Sequence, residues 1–272
     1  MKLVSSSAAI VTVGLLAAPL FGQHVPFEFI IDPQLPGQTS YDGWLPFWNE
    51  DNGKWTSSLA RTYNPGYPGH PGSDPWPNPI TSKQGSAGHD AGLMKIADGT
   101  DGGAYPSGSS LYFGGFSSVV NNFGGTVSVF DDTPVANLAT VVFQIDIGEI
   151  WLYDFYDSDN DGNVDLPVLN YNGGTQRLEA TLAEILGQVQ KDTYMTPNGP
   201  EPVYINTYLL QWDLTGIAEP ITSFSIEFSA VQHAQVYAMR LDQSDTYTPI
   251  PEPTMLSAAA GALLLLGRRR RA

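Results

Sequence analysis

The chain has 272 residues, of which 42% are apolar, so it is long enough to bury the core of one large β domain or two small ones. It contains no cysteine, which excludes a disulfide framework and a thiolate metal site. The net charge is −16, and the segment between residues 23 and 250 is more acidic still, with seven basic and 27 acidic groups. That charge argues against nucleic acid or an anionic membrane surface as a partner.

Residues 1–22 have the layout of a secretory signal peptide. Lys2 supplies the positive charge at the start, and an apolar stretch runs from Ala8 to Leu20. We expect cleavage near Gly22, although Leu20 stands where a small residue is usual. The alternative is a buried N-terminal strand or helix. The signal interpretation predicts an exported protein.

Aromatic residues are crowded into the first part of the body. The tryptophans considered for sugar stacking are Trp44, Trp48, Trp55 and Trp76. Exposed aromatic rings stack on sugars, but aromatic side chains also fill cores. The core interpretation is favoured, whereas exposure of several of them on one face would indicate carbohydrate binding.

Two stretches of the N-terminal half favour irregular structure. The segment 64–79 is rich in proline, which supplies no donor to a sheet, so it predicts an extended surface loop. The segment 85–115 is rich in glycine and predicts long irregular connections.

Alternating and β-branched segments predict strands from residue 125 onward. One face of the segment 138–147 carries Phe143, Ile145 and Ile147, and the segment 221–228 alternates in the same way. The remaining predicted strands are 125–130, 150–155, 203–212 and 235–241. Strands at this spacing predict a mostly β fold, an antiparallel, jelly-roll-like β-sandwich in one domain from about residue 24 to 246.

An aspartate-rich loop follows the middle strands. Its oxygen-bearing residues recur at odd positions of a nine-residue run: Asp157, Asp159, Asp161, Asn163 and Asp165. Gly162 occupies the sixth position, where a sharp turn aims the side chains inward. Calcium prefers six to eight oxygen ligands in a flexible shell, so this spacing predicts a calcium site with a backbone carbonyl contributed at Asn163.

The loop matches the first three quarters of an EF-hand loop, but Val168 stands where the bidentate glutamate would be. It resembles more closely the calcium loops of thrombospondin type 3 repeats and related bacterial surface modules. Because the ligand at the twelfth position is missing, we expect calcium to be a weakly bound cofactor, with a dissociation constant on the order of 10⁻⁴ to 10⁻³ M. The alternative is a solvated acidic turn, in which the crowded aspartates repel one another.

One segment predicts a helix within the β-rich body. Its apolar residues fall at i, i+4, i+7, i+8 and i+11, which is helical spacing. They are Leu178, Leu182, Ile185, Leu186 and Val189. We expect a single helix packed on the sandwich, and a pair of strands is the alternative.

The C-terminal segment 249–272 has an ordered layout. Pro251, Glu252 and Pro253 precede an apolar run that ends at Gly267. Four arginines then follow: Arg268, Arg269, Arg270 and Arg271. The apolar run is shorter than the roughly 20 residues that cross a bilayer, and the arginines suit a stop-transfer signal because positive charge stays cytoplasmic.

This order resembles the PEP-CTERM sorting signal of Gram-negative bacteria. The resemblance implies transient anchoring in the inner membrane, processing by an exosortase, and a cell-surface or extracellular destination. Members of that family are often linked to exopolysaccharide. The alternative is an ordinary C-terminal membrane anchor.

The sequence offers no pattern of catalytic residues. Its four histidines lack zinc-site spacing, and it has no nucleophile elbow, P-loop or dinucleotide fingerprint. Paired carboxylates of a glycosidase leave no sequence pattern. We therefore expect a non-catalytic surface or matrix protein, with an exopolysaccharide-binding module as the alternative and a polysaccharide-active enzyme as the third hypothesis.

Overall fold

The computed structural model describes residues 29–45, 76, 78–82, 84–88, 90–96, 103–107, 110–115, 119–149, 154–196 and 199–251. The predicted signal peptide, Trp48, Trp55, most of the proline-rich segment and the tail after Pro251 lie outside these residues. All regular structure within them is β, so none of the described segments is a helix that could span a membrane.

The described residues form thirteen strands in two sheets. In chain order they are β1 Thr39–Trp44, β2 Ile80–Thr81, β3 Gln84–Gly85, β4 Gly92–Ile96, β5 Gly103–Ser107, β6 Ser110–Gly114, β7 Phe123–Asp131, β8 Thr140–Glu149, β9 Val168–Tyr171, β10 Leu182–Thr196, β11 Gly199–Asp213, β12 Phe224–Val231 and β13 Gln235–Ser244. The larger sheet has the order β10-β11-β8-β13-β1-β3, with β6 also paired to β13 and β5 to β6. The smaller sheet has the order β2-β4-β7-β12-β9, and every pairing in both sheets is antiparallel.

The core lies between the two sheets and follows the alternation of the sequence. Phe143 of β8 and Phe228 of β12 face each other, with ring centroids 6.2 Å apart. Phe228 also contacts the rings of Phe155 at 5.8 Å and Phe113 at 6.3 Å. Burying each such ring contributes about 1.5–3 kcal/mol. The predicted antiparallel β-sandwich is confirmed.

The outer face of β8 is buried too, although the alternation predicts a solvated face. Gln144 is fully buried there and Asp146 is 2% exposed. Gln144 holds the N-terminal segment: its Nε2 donates to the carbonyl of Ile31 at 2.7 Å, and the amide of Ile31 donates to its Oε1 at 2.9 Å.

A second buried glutamine holds the residues just after β13 in the same way. Gln211 of β11 donates through Nε2 to the carbonyl of Thr248 at 2.8 Å, and its Oε1 accepts from the amide of Ile250 at 3.0 Å. The register places Gln211 beside Val142, on the outer face of the larger sheet. Segments near both ends of the described chain are therefore bound to this face.

The predicted helix around residues 178–189 is wrong. Leu178 forms an isolated bridge with Leu169, and Leu182 begins β10, which pairs with β11 over its whole length. Ile185 is 53% exposed, so the five apolar residues do not form one buried stripe. The segment is extended, as the alternative of a pair of strands required, but it forms a single strand, β10, preceded by the isolated bridge.

The glycine-rich stretch also differs from expectation. Residues 85–115 include β4, β5 and β6 in place of long irregular connections alone. Gly92 is required within β4 because a Cβ atom there would lie 2.5 Å from the ring of Phe130 on the neighbouring strand β7. Glycine here allows an aromatic ring to cover the strand.

Candidate metal-binding loop

The aspartate-rich loop lies between β8 and β9, and its ends are anchored to the smaller sheet. Phe155 forms a bridge with Ala230 of β12, and the amide of Tyr156 donates to the carbonyl of Ser229 at 3.0 Å. The amide of Asp165 then donates to the carbonyl of Tyr156 at 3.1 Å, which brings the two ends of the loop together.

Within the loop, aspartate side chains accept hydrogen bonds from amides further along the chain. Asp157 accepts from the amide of Gly162 at 2.9 Å and from that of Asp161 at 3.3 Å. Asp159 accepts from the amide of Asp161 at 3.1 Å, and Asp161 from that of Asn163 at 2.7 Å. Short-range bonds of this kind are the reason aspartate favours tight turns.

Two residues of the loop have left-handed backbone conformations. Gly162 has φ of 92° and Asn160 has φ of 58°, and both residue types adopt this region at low cost. The side-chain space at Gly162 is open, so the backbone angle alone accounts for glycine at this position. These two residues wind the chain so that successive aspartates turn to one side.

The carboxylates of Asp157, Asp159 and Asp161 converge. One oxygen from each lies within 4.8 Å of the other two. Asp157 is 1% exposed, whereas Asp159 and Asp161 are exposed. Like charges about 4 Å apart repel by roughly 1 kcal/mol in water and by about 4 kcal/mol near a protein surface, so a bound cation would relieve a substantial strain.

The other two predicted ligands lie differently. Asn163 donates through Nδ2 to both oxygens of Asp161, each at 3.1 Å. Asp165 accepts from the amide of Ser158 at 3.1 Å and closes the loop. The structure therefore brings together three of the four predicted carboxylate ligands, while the side chains of Asn163 and Asp165 maintain the turn.

Asn121 is a residue of this site that sequence reasoning missed. It lies just before β7, and its Oδ1 accepts from the amide of Asp157 at 2.9 Å. Its Nδ2 donates to the carbonyl of Asp157 at 2.8 Å and to Oδ1 of Asn160 at 3.0 Å. Asn121 is separated from Asp157 by 36 residues, and no sequence pattern connects the two.

A buried carboxylate lies next to the loop. Asp154 is 1% exposed, and its Oδ2 accepts from Nδ2 of Asn206 at 2.6 Å and from the hydroxyl of Tyr208 at 2.8 Å. Its Oδ1 has no hydrogen-bond partner among the residues that the structure describes. Burial raises the pKa of Asp154 to about 7, although the bonds from Asn206 and Tyr208 favour the charged form.

The tryptophans proposed for sugar stacking divide into two pairs. Trp44 and Trp76 are buried, and their Nε1 atoms donate to the carbonyls of Ile80 at 3.2 Å and Ala104 at 3.0 Å. For these two the stacking interpretation is wrong, because their rings lie in the core. The other pair, Trp48 and Trp55, lies outside the described residues.

The predicted sorting motif is described only at its first residue. Pro251 ends the described chain, and Glu252, Pro253 and the arginines Arg268, Arg269, Arg270 and Arg271 lie beyond it.

Comparison of the chain with protein-family models, with curated proteins and with solved structures returned no match.

Replacing Asn121 by glycine should loosen the loop. Glycine tolerates the φ of 54° at this position, so Asn121→Gly removes the three side-chain bonds without straining the backbone. Since each lost bond contributes about 0.5–1.5 kcal/mol, we expect the free energy of unfolding to fall by roughly 2–4 kcal/mol in urea denaturation. Asn137→Gly, at an exposed turn with φ of 59°, is the matched control. Equal effects of the two changes would contradict the role given to Asn121.

Replacing Asp154 by asparagine should change the dependence of stability on pH. The pKa of Asp154 in the folded protein, about 7, is above its ordinary value of 3.8, so the folded state binds this proton more tightly. The resulting stabilisation is complete below about pH 4 and is lost as the pH rises to about 7, by up to about 4 kcal/mol. Asp154→Asn should lack this loss, as measured by urea denaturation in EDTA at several pH values. Parallel pH profiles for the two proteins would show that Asp154 is not the responsible group.

Proposed function

We propose that this chain is an exported, non-catalytic protein of the cell surface or extracellular matrix, whose sandwich is stabilised by calcium bound at the loop 157–165. The observation that carries the proposal is the convergence of Asp157, Asp159 and Asp161 within 4.8 Å, in a loop whose turns are already formed.

The chemistry of the loop favours calcium over other divalent cations. All its candidate ligands are oxygens, which suit a hard cation, and it offers no imidazole or thiolate for zinc. Magnesium demands a near-ideal octahedron, whereas calcium accepts the irregular set that three carboxylates, a carbonyl and water would supply. Val168 begins β9 in place of a bidentate acid, which supports weak binding at extracellular calcium levels.

Calcium at this position would stabilise more than the loop. The loop is bonded to β12 through Tyr156 and to the segment before β7 through Asn121. A cation that holds three carboxylates together therefore fixes a point where the β8–β9 connection meets two strands of the smaller sheet. Binding to the folded state alone raises stability by mass action.

The non-catalytic part of the proposal is supported by the settings of the three described carboxyls whose pKa is raised, Asp131, Asp154 and Asp242. Asp131 is 3% exposed, and it accepts hydrogen bonds from the amide of Thr133 at 2.7 Å and from Nε2 of Gln243. Asp154 is enclosed at 1% exposure, so no substrate reaches it. Asp242, whose pKa burial raises to about 6, is joined to the guanidinium of Arg240 by an ion pair of 2.7 Å. None of the three has the exposed, unpaired setting of a general acid or base.

Export and sorting are proposed from the two ends of the sequence. Residues 1–22 would direct export, and the PEP-CTERM-like tail would hold the protein in the inner membrane until an exosortase processes it. The attachment of Ile250 to Gln211 is compatible with this order, because the sorting motif then begins where the folded body ends.

Calcium should raise the melting temperature of the full chain through this loop. We expect a rise of several degrees between EDTA and millimolar calcium, because the cation binds the folded state and relieves carboxylate repulsion. The double change Asp159→Ala and Asp161→Ala should abolish the rise. Asp132→Ala with Glu179→Ala removes the same charge from exposed positions elsewhere and should preserve it. An undiminished rise in the Asp159 and Asp161 double variant would reject this loop as the site.

Deletion of residues 252–272 should release the protein from cells of an exosortase-containing host. The deletion leaves Ile250 and its bond to Gln211 in place, so the folded body should be preserved while the anchor is lost. Fractionation of cells and medium measures the result. The Asp159 and Asp161 double variant with its tail intact is the control and should be sorted normally. Persistent membrane retention of the truncated chain would contradict the sorting proposal.

A further inference from the structure

A polar cleft of about 220 Å³ opens on the larger sheet, away from the acidic loop. Tyr41 of β1 and Arg240 and Asp242 of β13 form its floor. The segment 32–35 forms one wall, and Ser86 closes the cleft near β3. The cleft is smaller than the roughly 300–1,000 Å³ of pockets for drug-sized ligands, so it suits a group about the size of a single ring.

Arg240 is the central group of the cleft, and its orientation is fixed. Its Nε donates to both oxygens of Asp242 at 3.0 and 2.8 Å, and its Nη2 donates to Oδ1 at 2.7 Å. Nη2 also lies 3.5 Å from a carboxylate oxygen of Asp32, and the guanidinium carbon lies 4.6 Å from the ring centroid of Tyr41. Gly43 is the residue directly opposite Arg240 in the register, so β1 places no side chain at that position.

The guanidinium retains hydrogen-bonding capacity. The hydrogen bonds and ion pairs of Arg240 with other described residues use Nε or Nη2, and its contact with Tyr41 uses the guanidinium plane, which leaves the two N–H groups of Nη1 for a ligand. Asp32 is 58% exposed at its side chain and presents carboxylate oxygens from the opposite wall. The cleft therefore offers donors and acceptors within one small volume.

The wall of the cleft is held in place by the fold. Ile31 is bonded twice to Gln144, the hydroxyl of Ser244 donates to the carbonyl of Pro36, and the amide of Gln38 donates to Asp245 at 2.9 Å. Gly37 turns the chain with φ of 83°, where a Cβ atom would lie 2.1 Å from a side-chain oxygen of Asp245. A wall fixed before binding lowers the entropy cost of binding a ligand.

Charge and polarity narrow the class of ligand. Two carboxylates against one guanidinium disfavour an anion, and the guanidinium in the middle disfavours a metal cation. The mostly polar lining disfavours an apolar molecule. A neutral molecule with several adjacent hydroxyls, each both donor and acceptor, satisfies these groups, and the ring of Tyr41 offers a surface for its C–H groups.

We propose that this cleft binds one uncharged sugar ring, with Nη1 of Arg240 donating to one ring hydroxyl and the carboxylate of Asp32 accepting from another. The side chain of Tyr41 packs against the sugar ring. The site shares no residue with the calcium loop and does not depend on the function proposed above. The proposed sugar site is thus this polar cleft and does not involve the buried Trp44 and Trp76.

Saturation-transfer NMR of the full chain with the uncharged methyl glycosides of glucose, galactose and mannose tests the proposal. We expect at least one of them to bind with a millimolar dissociation constant, since the cleft is small and open to solvent. Glucuronate should bind more weakly than the glucoside. Arg240→Lys keeps the positive charge but removes Nη1, and it should weaken binding about tenfold or more. Arg177→Lys, at an exposed arginine elsewhere, is the matched control and should bind as the unmodified chain does.

Arg240 also supports the local structure, so a second variant keeps the test decisive. Asp32→Ala removes an exposed acceptor with little effect on the core, and it too should weaken binding, with a melting curve confirming that each variant is folded. Three results would overturn the proposal: no binding of any uncharged glycoside at tens of millimolar, binding undiminished in both cleft variants, or preference for glucuronate. Removal of calcium should leave the saturation-transfer signal of the sugar unchanged. A failure of the cleft proposal can therefore be distinguished from a failure of the loop assignment.

Discussion

Strand β8, in the middle of the larger sheet, is buried on both faces, and this imposes a requirement that the rest of the structure has to meet. Segments that cover the outer face have backbone amides and carbonyls that need partners, since an unpaired buried group costs as much as a lost hydrogen bond. Gln144 and Gln211 meet the requirement, because a carboxamide donates and accepts at once, as a neighbouring strand would. The chain around Ile31 and the chain from Thr248 to Ile250 are thereby bound to the sandwich without becoming strands.

The wall of the polar cleft follows from this arrangement. The bonds between Gln144 and Ile31 fix the start of the segment that carries Asp32, and the bonds of Pro36 and Gln38 to the end of β13 fix its far side. The acidic loop is organised by the same principle with other side chains, since Asn121 bonds both backbone groups of Asp157. Amide side chains at three places, Gln144, Gln211 and Asn121, thus bind segments without regular structure to the sandwich. The protein has no cysteine to cross-link them.

The strands of the core could be predicted because the chemistry that forms them is local. Phe224, Ile226 and Phe228 alternate with polar residues, and only one face of β12 enters the core. β10 could not be distinguished from a helix, because a spacing of four residues places Leu182 and Leu186 on one side of either structure. A bulge between Ile185 and Gly187 then shifts the alternation, so that no simple period of two remains. The burial of the outer face of β8 could not be predicted either. A glutamine in an alternating strand indicates a solvated position, and only the fold shows that Gln144 binds Ile31.

The two candidate sites differ in how much of each can be recognised from the sequence alone. The acidic loop is a local motif, so its three converging carboxylates could be named from spacing as candidate ligands, and only Asn121, 36 residues away, depended on the fold. The polar cleft joins residues near 32, 41, 86 and 240 through strand pairing and a glutamine bond, and no window of sequence contains it. The same difference explains the tryptophans: aromatic residues indicate sugar binding only where the fold leaves them exposed, and β1 buries Trp44 while Tyr41, three residues earlier, faces the cleft. Whether an aromatic ring of β1 is available to the proposed sugar site is therefore set by the face of the strand that it occupies and not by the type of ring.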